Sequence, residues 1–150
     1  MVCPTEDGIT HINIYSQGKT WLGKNLSNFA YFPIETEDGK FNSIEGYWYW
    51  LSCKDDRLRT LSGYNAKKLG RELGGKDWLD DDEFKRKITD AISRKIMSNQ
   101  RLHDELKKST LPLLHYYVFG GAVVEPNDGR WVIEHIENIR QALQNRENLQ

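Results

Sequence analysis

The chain has 150 residues, of which 38% are hydrophobic and 29% are charged, and its formal net charge is -1. This balance predicts one folded domain spanning residues 1–150, and no apolar run reaches the ~18 residues that a membrane span needs. Proteins that hold DNA or RNA by bulk charge are normally basic, so that class is excluded, whereas a local patch for one nucleotide is not. The first seven residues lack a basic region and an apolar core, so we expect a cytoplasmic protein without a signal peptide.

The first half of the chain is predicted to contain a strand, a loop, a hairpin and a helix. Alternating apolar and polar residues predict strands, and Asp-Gly between two such runs is typical of a β-hairpin. A serine just before an aromatic run is typical of a helix N-cap. In chain order, these elements are a strand at 11–15, a polar loop at 16–26, a hairpin at 32–44, and a helix that starts at Ser43 or Ile44 and breaks near 54–56.

The second half is predicted to be mainly helical, because apolar residues recur at three- and four-residue spacing. In chain order we expect a turn of helix at 58–61, a helix at 66–73 capped by Asn65 and stopped by Gly74-Gly75, the longest helix at 82–98, a helix at 100–108, strands at 114–119 and 122–125 around Gly120-Gly121, and a last helix from Asn127 or Asp128 to about 145. Strands and helices do not alternate regularly. The predicted fold class is therefore α+β, a compact domain, mostly helical with small antiparallel strands.

Several familiar kinds of site find no support in the sequence. The motifs GxGxxG and GxxxxGK[ST] are absent, which argues against Rossmann and P-loop nucleotide sites. Cys3 and Cys53 lie in no CxxC motif, and the four histidines are scattered, so we expect two free thiols and no metal site. No cofactor is expected.

Glu45 is the first candidate for a catalytic role, because it lies at the predicted start of a helix and just before an aromatic block. Apolar surroundings raise the pKa of a carboxyl group, whereas helix N–H groups keep it ionised. Either state is useful in glycoside cleavage: the acid protonates a leaving group, and the carboxylate stabilises an oxocarbenium-like centre or activates water. A surface glutamate that only satisfies the helix dipole is the alternative.

Other residues have side chains suited to binding a nucleotide. Aromatic rings stack on bases, amides orient a ribose, cations bind phosphates, and glycines allow close approach. A lysine can also act as an amine nucleophile, which makes Lys54 a second catalytic candidate. Packing, turn formation and a solvated helix face are the alternative explanations. The substrate-binding candidates are Asn28, Phe29, Trp48, Tyr49, Lys67, Lys68, Arg71, Trp78, Tyr117 and Gly120.

Short motifs follow one another along residues 12–107. They are Asn13-Ile14-Tyr15, Leu26-Ser27-Asn28-Phe29, Asp38-Gly39-Lys40, Ser43-Ile44-Glu45-Gly46-Tyr47-Trp48, Ala66-Lys67-Lys68-Leu69-Gly70-Arg71-Glu72, Asp77-Trp78, and a later stretch with Lys95, Asn99 and Leu102. In this order they resemble the YbiA/NADAR family, named for its association with NAD and ADP-ribose. The resemblance implies a compact, mainly helical α+β fold. It also implies that Glu45 and Trp78 lie in the active site and that Asn28 is the asparagine of the family's LSNF loop.

The resemblance further implies N-glycoside hydrolysis. One branch of the family removes ADP-ribose from modified guanine in nucleic acid, and another acts on phosphorylated ribose intermediates of riboflavin biosynthesis. The expected partners are therefore an ADP-ribose-containing or ribose-phosphate substrate, including ADP-ribosylated nucleic acid. The chain departs from the family pattern in having Gly46 where the family has histidine, and in the longer spacing from Glu45 to Lys54. The first departure supports a further hypothesis, a non-catalytic module that binds ADP-ribose or NAD.

Overall fold

The computed structural model describes residues 2–76, 81–126 and 129–148, with side chains described as far as residue 146. In chain order the strands and helices are β1 Ile12–Asn13, α1 Trp21–Leu26, β2 Ile34–Thr36, β3 Gly39–Phe41, α2 Ile44–Cys53, α3 Gly63–Glu72, α4 Asp82–Ser98, α5 Gln100–Lys108, β4 Leu113–Leu114, β5 Tyr117–Phe119, β6 Ala122–Val124 and α6 Arg130–Asn148. Short 3-10 helices lie at Pro4–Glu6 and Asp56–Thr60. The predicted α+β class, mostly helical with small sheets, is confirmed.

The strands form three separate two-stranded pairs. The β2–β3 and β5–β6 pairs are antiparallel hairpins, as predicted. The pair of β1 with β4 is parallel, with Ile12 opposite Leu113. Parallel pairing requires a long crossover between the strands, and here about a hundred residues lie between β1 and β4. Sequence alternation detects a strand but not a partner so distant along the chain.

Several predicted element bounds and lengths were wrong. The strand predicted at 114–119 is two strands, β4 and β5, which belong to different pairs. The polar loop at 16–26 contains helix α1, which begins because the Thr20 hydroxyl accepts a hydrogen bond from the Gly23 N–H at 2.8 Å. Helix α3 begins at Gly63, ahead of the predicted Asn65 cap, and Gly63 adopts a positive φ of 56° that favours glycine. Helix α6 has 19 residues against 17 in α4, so α4 is not the longest helix. The predicted caps of α6, Asn127 and Asp128, lie outside the described residues.

The chain divides into two compact units. The first unit comprises Met1–Ser27 and Gln100–Gln150, and the second unit comprises Asn28–Asn99. The expectation of one domain spanning the chain stays a prediction. None of the helices in the described part of the chain has both the length and the apolar character of a membrane span.

The first unit is organised by the β1–β4 pair and three helices. Helix α1 packs on β1 and on α5, and α6 packs on α5 and β4. The Ile14 N–H extends the strand pairing by donating to the Leu114 carbonyl at 2.8 Å. The core of this unit is apolar and includes Leu22, Leu102, Leu106, Leu113, Ile136 and Leu143.

The second unit is organised around helix α2, which packs against α3, α4 and the 3-10 helix Asp56–Thr60. Hairpin β2–β3 packs on α4 and connects directly into α2. Helix α3 approaches α2 closely, because a Cβ atom at Gly70 would lie only 2.2 Å from Cγ of Tyr49. The position of the start of α2, which carries Glu45, is therefore fixed from several sides.

Candidate active site

The start of α2 is fixed by Ser43, as the sequence predicts. Its backbone is extended, and its hydroxyl accepts a hydrogen bond from the Gly46 N–H at 2.9 Å. The same hydroxyl donates to the Leu61 carbonyl at 2.8 Å, which joins the cap to the end of the neighbouring 3-10 helix. Glu45 is the second residue of α2, and only 9% of it is exposed. A carboxylate in the first turn interacts favourably with the positive end of the helix dipole.

Close packing explains why position 46 is a glycine. A Cβ atom there would lie 2.5 Å from the carbonyl oxygen of Leu58 and 3.2 Å from that of Leu61. The first distance is too short for a real contact, so no side chain fits while this part of the backbone holds its place. The departure from the family's histidine thus follows from the close approach of the 3-10 helix.

The loop that contains Asn28 and Phe29 is attached to both α2 and α3. The Asn28 carbonyl accepts a hydrogen bond from the Glu45 N–H at 2.9 Å. The Phe29 ring lies under the Lys67 ammonium group, with 5.8 Å from Nζ to the ring centroid. The structure therefore brings together, within the second unit, four of the residues that the sequence analysis selected.

Lys95 is a candidate that sequence reasoning did not assign to the site. It lies on α4 and is only 2% exposed, and burial lowers its pKa to about 7. Its ammonium nitrogen lies 5.0 Å from the centroid of the Phe32 ring. The Phe32 N–H donates to the Asn42 carbonyl at 2.7 Å, three residues before Glu45. Through Phe32, Lys95 is thus linked to the segment just before α2.

A sequence signal for Lys95 did exist. It follows Ile88 by seven residues and Ile92 by three, which places it on the apolar face of the helix. Both isoleucines are buried. A lysine on such a face is rarely fully buried without a specific reason.

The aromatic block of α2 is used largely in packing. Trp48 is 8% exposed and meets Phe84 edge to face, with ring centroids 4.8 Å apart. Tyr49 is 1% exposed and packs against Gly70 of α3. Base stacking by Trp48 or Tyr49 stays a prediction, and these contacts already account for the burial of both rings.

Lys54 lies at the other end of α2 from Glu45. It is the C-cap, with a left-handed φ of 55°, and its ammonium nitrogen lies 4.4 Å from the Trp50 ring centroid. Nine residues of α-helix separate the two positions by roughly 13 Å along the axis. Helix α2 therefore carries Glu45 and Lys54 at opposite ends, and a catalytic role for Lys54 stays a prediction.

The remaining predicted site residues lie on other structural elements. Tyr117 belongs to β5 of the first unit, where its ring meets Tyr15 and His115 edge to face at 5.2 and 5.0 Å. Gly120, also in the first unit, forms the turn of the β5–β6 hairpin with a φ of 57°. Lys68 and Arg71 are exposed on α3 of the second unit. Trp78 lies outside the described residues.

Two buried groups of the second unit have the chemistry for proton transfer. Glu45 supplies a carboxyl group at a helix N-terminus, and Lys95 supplies an amine whose pKa lies near neutral pH. A group with a pKa near the working pH exchanges protons most effectively during a reaction. Within 2–76, 81–126 and 129–148, no three side chains among His, Cys, Asp and Glu form a metal-binding cluster.

The solved structures include one with the same arrangement of elements, the NMR structure of the Escherichia coli protein YbiA. It matches with a TM-score of 0.66 and 17% sequence identity, over 97% of this chain and 95% of YbiA. This chain has a YbiA-like fold. At that identity the likeness concerns the fold alone, so the YbiA resemblance is confirmed at the level of architecture. No protein-family model matches the chain, and no curated protein matches it significantly.

Proposed function

We propose that this YbiA-like chain is an N-glycosidase that releases ADP-ribose from a modified guanine base, with Glu45 at the reacting centre. The observation that supports the proposal is the burial of a carboxyl group, Glu45, and an amine, Lys95, within the second unit. Removal of an ionisable group from water carries a desolvation penalty. Perturbed, buried ionisable groups are concentrated at functional sites.

The reaction needs one proton acceptor and one proton donor. A water oxygen forms a bond to the anomeric carbon of the ribose while the bond from that carbon to the base nitrogen breaks. The electron pair of the broken bond goes to the base. In the proposed mechanism the Glu45 carboxylate accepts the proton of the attacking water, and the Lys95 ammonium group donates a proton to the departing base.

Binding of the diphosphate is assigned to the cationic side chains of α3. Lys67 lies over Phe29, which directly follows Asn28, and the Asn28 carbonyl holds the backbone of Glu45. Arg71 follows Lys67 by one helical turn. An arginine binds phosphate oxygens in a bidentate manner, so Arg71 is the stronger candidate of the two.

Two alternatives use the same residues. Phosphorylated ribose intermediates of riboflavin biosynthesis would need the same carboxylate chemistry on a smaller substrate. A non-catalytic ADP-ribose- or NAD-binding module drew its support from Gly46. That support is weaker now, because the close approach of the Leu58 carbonyl accounts for the glycine.

A turnover assay read by mass spectrometry tests the proposal. Wild type and Glu45→Gln are incubated with a guanine-ADP-ribosylated oligonucleotide and, separately, with the phosphorylated ribosyl intermediates. Loss of a general acid–base group lowers the rate by roughly 10²–10⁴. Glu35→Gln is the matched control, because Glu35 is an exposed glutamate on β2 of the same unit.

The outcomes separate the three hypotheses. Release of ADP-ribose by wild type and Glu35→Gln, but not by Glu45→Gln, supports the proposal. Turnover of the ribosyl intermediates alone favours a metabolite hydrolase. Binding of ADP-ribose without turnover of either substrate favours the binding module, and an unchanged rate in Glu45→Gln removes Glu45 from the mechanism.

A further inference from the structure

Helix α3 presents one face that is both aromatic and basic. Tyr64, Lys67, Lys68 and Arg71 are spaced at i, i+3, i+4 and i+7, so they share a face of the helix. The opposite face carries the helix's buried residues Ala66 and Gly70, which pack toward α2. Tyr64 is 67% exposed, so it contributes little to the core.

The loop before β2 meets this face at Phe29 and exposes a second tyrosine. Phe29 lies under Lys67, and its carbonyl oxygen lies 3.6 Å from where a Cβ atom of Gly63 would be, next to Tyr64. Two residues farther on, Tyr31 is 66% exposed, although its neighbour Phe32 is buried. We call the surface formed by Phe29, Tyr31, Tyr64, Lys67, Lys68 and Arg71 the aromatic–basic strip.

The local charge of the strip differs from that of the whole protein. Residues 63–76 include four basic side chains and one acidic side chain, whereas the chain as a whole has a net charge of -1. A surface of cations interleaved with exposed aromatic rings binds single-stranded nucleic acid, because the cations follow the phosphates and the rings stack on bases. Protein–protein interfaces are depleted in lysine, so a protein partner fits this composition less well.

The strip also adjoins the proposed active site. Its residue Phe29 follows Asn28, and the Asn28 carbonyl accepts the Glu45 N–H. We propose that the aromatic–basic strip binds the single-stranded polynucleotide that flanks the target base, with Tyr31 and Tyr64 as stacking platforms and Lys68 as a phosphate contact. Lys67 and Arg71 remain assigned to the diphosphate of the ADP-ribose. This inference rests on the proposed function only for the position of the target base at Glu45. The polynucleotide contacts themselves require no reaction.

Binding of an unmodified single-stranded oligonucleotide, followed by fluorescence anisotropy, tests the inference independently of catalysis. Tyr31→Ala and Tyr64→Ala are each expected to weaken binding by about 5- to 10-fold, the lower end of the range for a lost base stack. Tyr64→Phe keeps the ring and should keep the affinity. Phe119→Ala is the matched control, because Phe119 is an aromatic residue of the first unit that is 81% exposed.

Salt titration adds a second readout. Each phosphate contact on a single strand contributes about 0.7 to the slope of log affinity against log salt. Lys68→Ala should therefore lower the slope by about that amount and weaken all sequences alike. An unchanged slope would exclude Lys68 from the strip's contacts.

The results distinguish this inference from the proposed function. Equal affinity of wild type and both alanine variants, or tighter binding of the matching duplex, overturns the inference even if Glu45-dependent turnover is found. Weaker oligonucleotide binding by both alanine variants, with Phe119→Ala unaffected, supports it even if no turnover is found. With an ADP-ribosylated guanosine nucleotide as substrate, Tyr31→Ala and Tyr64→Ala should keep the wild-type kcat/KM, and an equal loss on nucleotide and oligonucleotide would contradict a role in binding the flanking strand.

Discussion

The two units bury polar groups in different ways. In the first unit, the buried carboxylate of Asp7 accepts backbone N–H groups of Asn13 at 2.9 Å and Lys19 at 2.8 Å. These bonds hold the turn around β1, which is a structural task. In the described part of the second unit, the buried charged side chains are Glu45 and Lys95, and the Lys95 ammonium nitrogen lies 5.0 Å from the centroid of the Phe32 ring. Burial of a charged side chain therefore indicates a functional role only when the hydrogen bonds of that side chain are also considered.

Asn13 shows the same structural use of polarity in the first unit. Its side chain accepts a hydrogen bond from the Tyr116 N–H and donates one to the Tyr116 carbonyl, each at 3.0 Å. It thereby continues the pairing of β1 with the segment after β4. A buried polar group that satisfies backbone groups in this way stabilises the fold and needs no catalytic explanation.

The largest expected difference is between Glu45→Gln and Asp7→Asn. Glu45→Gln should lower turnover by roughly 10²–10⁴ and leave the midpoint of urea unfolding nearly unchanged. Asp7→Asn should leave turnover nearly unchanged. It should cost about 1–3 kcal/mol of stability, because it weakens bonds to two backbone N–H groups. Kinetics and urea unfolding of both variants check this. A stability loss in Glu45→Gln as large as that in Asp7→Asn would remove the distinction between the two units.

Lys95→Met is expected to change the pH dependence of stability. The pKa of Lys95 is lowered by burial from 10.5 to about 7, so the unfolded chain binds a proton that the folded chain lacks between these values. The free energy of unfolding of wild type should therefore rise with pH above 7, by up to about 1.4 kcal/mol per pH unit. In Lys95→Met this rise is lost. Urea unfolding at pH 7, 8 and 9 measures the slopes.

A second measurement on Lys95→Met separates function from packing. Methionine has a similar length and no charge, so a purely structural lysine would leave turnover unchanged after this substitution. Loss of turnover together with equal or higher stability at pH 7 would identify Lys95 as functional. Lys85→Met is the control on α4, because Lys85 lies ten residues earlier on the same helix and is only half-buried. Equal effects of the two substitutions would contradict a special role for Lys95.

Local signals in the sequence predicted most elements of the second unit. The Ser43 cap, the hairpin around Gly39 and the limits of α4 depend on residues close together in the chain, and all three are confirmed. Helix α1 was missed because it has six residues, two of which could as well stand in a loop. The β1–β4 pair was missed because its partner strand is about a hundred residues away.

Residues of the candidate site were predicted only where a short sequence motif contains them. Glu45 and Asn28 were selected from motifs, and the structure joins them by one backbone hydrogen bond. Lys95 was not selected because its importance depends on burial by other elements, among them the Phe32 segment. Gly46 was interpreted as a functional departure, although its reason is a carbonyl group contributed by the 3-10 helix. In both cases the decisive contact joins residues of different structural elements.

Gly46→Ala tests whether position 46 is fixed by packing. The new Cβ atom would lie 2.5 Å from the Leu58 carbonyl, so either the 3-10 helix or α2 must shift. Overpacking of this kind costs about 1–3 kcal/mol, more than the helix propensity of alanine returns. Ser52→Ala on the exposed face of the same helix is the control, with an expected change within about 0.5 kcal/mol. Thermal unfolding of both variants suffices, and a stabilised Gly46→Ala would contradict the packing explanation.

The smallest expected effect concerns Asp38, a carboxylate in the second unit whose task is structural. It accepts hydrogen bonds from the Tyr47 hydroxyl at 2.7 Å and the Lys87 ammonium group at 3.0 Å. Burial raises the pKa of Asp38, but these bonds outweigh it and hold the pKa below its usual 3.8. The contribution to stability is therefore complete above that value and is lost as the pH falls through the lower, folded-state pKa.

Asp38→Asn should accordingly cost about 1–2 kcal/mol at pH 7, and the difference from wild type should shrink as the pH falls below 4. Turnover should persist, because Asp38 interacts with Tyr47 and α4 rather than with Glu45. Urea unfolding at pH 3 and pH 7, together with the turnover assay, measures both quantities. If Asp38→Asn abolished turnover while remaining folded at pH 7, Asp38 would belong to the active site together with Glu45. The distinction between structural and functional charges would then fail within the second unit.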